Sequence, residues 1–205
     1  MVPQTQSAST EETLAQIELA MEHDRTHDSI RGIATIFWGL ILAKCFLAQW
    51  AVFAYNIPIN ALIFIWIPSL TFGALCTFIY ASVVLKRITN RSLAGRFVRH
   101  IWGATLVLIA ATTLLGAGLN LFDPMLLPGF FALIVGASFY IHSALNNRLL
   151  FKWTAVGWWT GSAWLFYNAD ENALGIFSLM ILCFQVIPAV YLYYLSNTTS
   201  ASSTS

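Results

Sequence analysis

Charge is what this sequence has least of. Only 9% of its 205 residues are Asp, Glu, Lys or Arg, where a soluble domain carries about 25% to keep its surface wet. The shortage excludes a chain with water on every side, because 58% of the residues are hydrophobic and they fall in long unbroken runs. Net charge is +1, so no field invites nucleic acid, and no nucleic-acid partner is expected. Cysteine is scarce too. Cys45, Cys76 and Cys183 are odd in number and sit inside apolar runs, which excludes a disulfide framework and leaves thiols packed as small hydrophobes. Without a CxxC or Met-rich pattern, they do not suggest a soft-metal path. No HExxH, GxSxG, Walker or dinucleotide fingerprint occurs, so neither a metal, a cofactor nor a known catalytic constellation is expected.

What is present is helix-length hydrophobicity. A helix needs about 20 apolar residues to cross the hydrocarbon, and six stretches qualify: Ile33–Tyr55, Ala61–Leu85, Ile101–Leu121, Leu126–Leu145, Phe151–Tyr167 and Ala173–Leu195. The fifth is the shortest, and it concentrates Trp153, Trp158, Trp159 and Trp164. Turn chemistry breaks the runs at Asn56-Ile57-Pro58, Asp123-Pro124 and Asn168 to Asn172. The expected fold is therefore all-α: a polytopic bundle of six transmembrane helices over residues 32–196. An N-terminal cytoplasmic amphipathic helix (1–31) precedes it, and a disordered tail (197–205) follows.

Lys and Arg positions orient the bundle. Arg25 and Arg31 precede the first run. Lys86, Arg87, Arg91, Arg96 and Arg99 follow the second, and Arg148 and Lys152 follow the fourth. The alternate connections hold only Asp123, Asp170 and Glu171. Cytoplasmic loops keep the positive charge, which places both termini inside. Trp50, Tyr55, Trp164 and Tyr167 then mark the outer interface, and Trp102, Trp153, Tyr193 and Tyr194 the inner one. Residues 1–31 have no basic region followed by a short apolar core, so no signal peptide is expected there. Spans two and four end alike, Phe78-Ile79-Tyr80-Ala81-Ser82 against Phe139-Tyr140-Ile141-His142-Ser143, as a repeated two-helix unit would produce.

Ahead of the first span, Ser9 and Glu12 form a capping-box pattern. Leu14, Ile17 and Met21 follow on one helical face, among Glu11, Glu18, Glu22 and Asp24. An acidic helix is repelled by anionic headgroups. It suits either the basic segment 86–99 on the same side or a soluble protein partner recognised through residues 8–28. His23 and His27 share a face of this helix, which is the beginning of a zinc site that lacks a third ligand. His100 and His142, near the inner interface, read as interfacial histidines rather than haem ligands.

Inside the runs, one residue breaks the pattern. Lys44 lies near the middle of the first span, where insertion costs about 2.5–3.5 kcal/mol or more, and no Asp or Glu lies in any span to neutralise it. Its stem can snorkel outward to Asp123 or lipid phosphate, its amine can be held by hydrogen bonds inside the bundle, or it can bind an anionic or carbonyl-bearing solute. Gln185, Pro68 and Pro188 share its approximate depth. Each proline removes an N–H and frees the carbonyl four residues back, Phe64 or Phe184. Together these groups make a candidate midplane polar site, with the prolines as helix kinks. Small residues supply close packing: Ser69, Gly73, Thr77 and Ala81 at successive i+4 steps, and Gly157 with Gly161 as a GxxxG step. They serve packing within the bundle or a homodimer face.

The stretch Leu127-Pro128-Gly129-Phe130 through Val135-Gly136-Ala137, then Ser143 and Arg148, resembles uncharacterised bacterial six-span membrane proteins of about this length. That resemblance implies a bacterial inner membrane as the location, with the lipid bilayer as surroundings, and carries no catalytic residues over. Three functional expectations follow. The first is a non-enzymatic module that regulates or scaffolds a partner. The second is a small-solute transporter or channel built around Lys44, and the last a lipid-modifying enzyme.

Overall fold

A computed structural model describes residues 32–83, 93–146 and 149–201. The expected helix over 1–31, with its capping box and His23/His27 pair, lies outside the described residues. So do positions 84–92, 147–148 and 202–205.

Every regular element among the described residues is helical. Helix α1 is Gly32–Ala54. Helix α2 begins as a π-turn, Leu62–Trp66, and continues as α-helix over Ile67–Val83. Helix α3 is Leu93–Thr113, widening into a π-turn at Leu114–Gly118. A 3-10 turn, Pro124–Leu126, leads into α4, Leu127–Asn146. Helix α5 is Leu149–Tyr167. Helix α6 joins Asn172–Ile181, a π-turn at Leu182–Val186, and Ile187–Ala201. Five of these helices are long and apolar enough to cross a membrane. The exception is α5, whose 19 residues suffice in length. Its indoles, glycines and hydroxyls depress its hydropathy, because each carries a polar group or little apolar surface.

Two ends differ from the sequence expectation. Helix α3 starts at Leu93, so Arg96 and Arg99 stand on its first turns rather than in a loop. Helix α6 runs to Ala201, so residues 197–201, expected to be disordered, prolong the helix. Once nucleated, a helix adds residues at little cost, even through a polar Ser/Thr run.

The turns follow the predicted chemistry. Asn56 adopts φ 49° and closes α1. Its own N–H donates to the Phe53 carbonyl at 3.1 Å, and the Ile57 N–H reaches back to Val52 at 2.9 Å, a Schellman arrangement that satisfies the last carbonyls. Asn120, at φ 53°, ends α3 in the same left-handed conformation. Asp123 caps the following 3-10 turn by accepting from the Met125 N–H at 2.9 Å, with Pro124 at the first position.

Helices α1, α4, α5 and α6 surround the core, and α2 and α3 flank it. Phe46 of α1 meets Phe177 of α6 at 4.7 Å between ring centroids and Phe131 of α4 at 6.5 Å. Trp158 of α5, fully enclosed, stands 5.7 Å from Phe177 and 6.2 Å from Phe184. Half of the apolar stretch of α6 is buried, against 11% for α3, which puts α3 at the rim. Apolar burial gives no drive between helices in lipid, so close backbone approach and interhelical hydrogen bonds must hold them. Ser178 donates to the Ala43 carbonyl at 2.7 Å (α6 to α1), and Ser162 to the Gly129 carbonyl at 2.8 Å (α5 to α4). The Thr105 and Ser138 hydroxyls are hydrogen-bonded to each other between α3 and α4 at 2.5 Å. Each such bond contributes on the order of 0.6 kcal/mol, at most about 1.7.

The GxxxG step of α5 is used within the chain. A Cβ on Gly157 would lie 2.6 Å from the Phe184 ring, and one on Gly161 would collide with the end of Met180. Both glycines seat α6. The small stripe of α2 does the same for α1, since a Cβ on Gly73 would lie 2.9 Å from the Trp38 ring.

Candidate functional site

The seam between α1 and α2 is a ladder of polar rungs in an apolar setting. Running antiparallel, the Trp38 indole donates to Thr77 Oγ1 at 3.1 Å, Lys44 Nζ to Ser69 Oγ at 3.3 Å, and the Trp66 indole to Gln49 Oε1 at 2.7 Å. Ser69, Gly73 and Thr77 recur every four residues, so they share one face of α2. That face carries both hydroxyls to α1. Thr77 also returns its own proton to the Gly73 carbonyl at 2.8 Å, as threonines inside helices do.

Lys44 is the middle rung, and it is exposed rather than enclosed by the bundle. It lines a groove of about 470 Å³ between α1 and α2, whose walls include Leu40, Phe64, Pro68, Ser69 and Phe72. The groove opens sideways, away from the core, because Leu40, Phe64 and Phe72 are themselves largely exposed. Ser69 is its buried partner.

Pro68 shapes this groove. The last hydrogen bond before it runs from the Ile67 N–H to the Leu62 carbonyl, a π-type step, and Pro68 itself has no N–H to offer. The ladder is thus a donor short at Pro68, which lines the groove together with Phe64 and Lys44. Pro188 repeats the device in α6, where the Ile187 N–H bonds the Leu182 carbonyl. The sequence carries a signal for this pair: Leu62-x-Phe64-x-x-Ile67-Pro68 and Leu182-x-Phe184-x-x-Ile187-Pro188 are the same heptapeptide pattern. This likeness joins spans two and six, whereas the likeness of span ends joins two and four.

Of the four groups expected to share a midplane site, only Lys44 and Pro68 come together. Gln185 is half-buried on the other side of α1, its Nε2 3.3 Å from where a Cβ on Gly39 would stand. Gly39 and Lys44 are five residues apart, roughly 140° around the helix, and Pro188 is buried on the α6 side with Gln185. Sequence reading missed Gln49 and Trp66, although a Gln within an apolar run is a signal. The thiols are dispersed: Cys45 is buried, Cys76 half-buried and Cys183 exposed, all free. His142 stacks on Phe151 at 4.6 Å. Among the described residues, no three His, Cys, Asp or Glu side chains are grouped as metal ligands would be.

The fold and the seam define a helical membrane-embedded protein whose α1/α2 polar seam opens sideways. No family model, characterised protein or solved structure matches the chain.

Proposed function

We propose that this chain is a six-span integral membrane protein with both termini in the cytoplasm. In this reading it acts without catalysis, as a module that scaffolds or regulates a protein partner. Helix α5 supports the sixth span: 19 residues at 1.5 Å per residue reach roughly 28 Å, about the hydrocarbon thickness. Its Gly157, Trp158 and Ser162 engage α4 or α6 along its length. The charge alternation supports the orientation, and the resemblance noted above supports a bacterial inner membrane. One observation favours a scaffold over a transporter. The centre of the four-helix core is filled by interlocked rings of Phe46, Phe131, Trp158 and Phe177, while Lys44 looks outward. A solute path through the bundle has no polar lining there.

Two measurements test this. In a cysteine-free background, Asn56→Cys and Asn168→Cys should react with an impermeant maleimide from the periplasmic side, and Asn90→Cys only after permeabilisation. Labelling of Asn90→Cys from outside overturns the orientation. Deleting residues 1–28 should leave the melting temperature of the bundle unchanged and remove a partner that co-purifies stoichiometrically with the full chain. The scaffold reading fails if the full chain retains no partner, or if proteoliposomes show solute flux that Lys44→Met abolishes.

A further inference from the structure

Among the described residues no carboxylate stands beside Lys44. Their acidic side chains, Asp123, Asp170 and Glu171, lie in the turns between helices. Its described partner, Ser69, is neutral and takes one of the three ammonium protons. In hydrocarbon, the remaining protons want an anion, because an unpaired charge there is costly.

We propose that the α1/α2 groove docks a transmembrane helix of another protein, one that carries an Asp or Glu side chain at mid-membrane depth, with Lys44 as counter-ion. The proposal rests on the reading of the chain as a partner-binding module and names that partner's chemistry. Depth selects the occupant. Lys44 is ten residues from Ala54 and twelve from Gly32, which puts it ~15 and ~18 Å from the two ends of α1. Lipid phosphates and fatty-acid carboxylates reside at the interface, about 15 Å from the midplane, further than a four-carbon lysine stem spans. A carboxylate carried on a helix can stand at the midplane instead. Among its described residues, a second copy of this chain offers no such group at that depth. The groove walls suit a helix: Leu40, Phe64 and Phe72 present exposed apolar surface, and Ala48 in the lining permits close backbone approach.

The test uses the full chain in proteoliposomes with fluorescent transmembrane peptides of Leu and Ala carrying one central residue, Glu, Gln or Leu. Energy transfer should show the Glu peptide binding about tenfold more tightly than the Gln peptide. Lys44→Arg should keep that preference and Lys44→Met should erase it. Circular dichroism and melting should match among the three proteins, since the residue is exposed. Equal affinity for all three peptides overturns the proposal, as does a Glu preference that survives Lys44→Met. Native mass spectrometry covers the lipid alternative. One oleate retained per chain by the wild type and lost in Lys44→Met, with no Glu preference, overturns the helix in favour of a lipid. Either failure leaves the scaffold reading standing, because that reading is tested through residues 1–28.

Discussion

Replacing Trp158 with alanine should cost the bundle about 3–5 kcal/mol, seen as a large drop in melting temperature in detergent or nanodiscs. Trp158 is wholly enclosed, its ring set against Phe177 and Phe184 and its Cβ 3.1 Å from where a methyl on Gly136 would lie. It therefore bridges α4, α5 and α6. In lipid the loss is not apolar surface exposed to water but dispersion contacts left without partners around a cavity. The indole N–H is buried without a hydrogen-bond partner, a penalty of about 1–3 kcal/mol already carried by the native fold. Trp158→Phe keeps a ring in place and removes that donor, so it should lie much closer to wild type than Trp158→Ala. Equal damage from the two would contradict this account, because a retained ring would then contribute nothing.

The second large effect is a matched pair of glycines. A Cβ on Gly136 would meet Trp159 Cδ1 at 2.6 Å and its Nε1 at 2.7 Å, with Trp158 Cβ behind at 3.1 Å. Trp159 is held there by its hydrogen bond to the Leu133 carbonyl at 3.3 Å. Gly136→Ala should therefore push α5 off α4 and cost about 1–3 kcal/mol, and Gly136→Leu more. Gly103, on the rim helix α3, has no atom within 4 Å of an added Cβ. Gly103→Ala should be neutral or gain up to about 1 kcal/mol from helix propensity. Thermal denaturation of both variants checks the contrast, and a loss at Gly103 comparable to that at Gly136 would contradict the peripheral placement of α3.

Gly103 and Gly157 show why the interior was only half legible. Gly103 follows Trp102 and Gly157 precedes Trp158, and in sequence the two settings look alike. Only packing separates a glycine with open space from one pressed against an aromatic ring. The same holds for the polar midplane residues. Lys44, Pro68, Gln185 and Pro188 announce themselves by being costly in hydrocarbon, so their identity and depth could be read directly. Their directions could not. Gln185 faces Gly39 and Lys44 faces Ser69, on opposite flanks of one helix. The use of Gly157 and Gly161 against α6, rather than against a second copy, was equally undecided until the helices were in place.

By itself, the sequence determined the all-helical class and the long apolar helices among the described residues. Run length, scarce charge and turn residues such as Asn56 and Asp123 act locally, and local chemistry is enough to set most helix ends of this kind, though not those at Leu93 and Ala201. It also determined which groups would be out of place in lipid. The tertiary structure decided how each helix is rotated and which ones are central. It set α2 and α3 at the rim, made the seam of three polar rungs, and turned the lysine sideways into a groove instead of inward. The physical reason is that lipid and protein interior are almost equally apolar. A soluble helix declares its buried face by alternating with water-loving residues. A helix in a bilayer has no such contrast, so its orientation is fixed by fit and by a few hydrogen bonds that exist only once its neighbours are present.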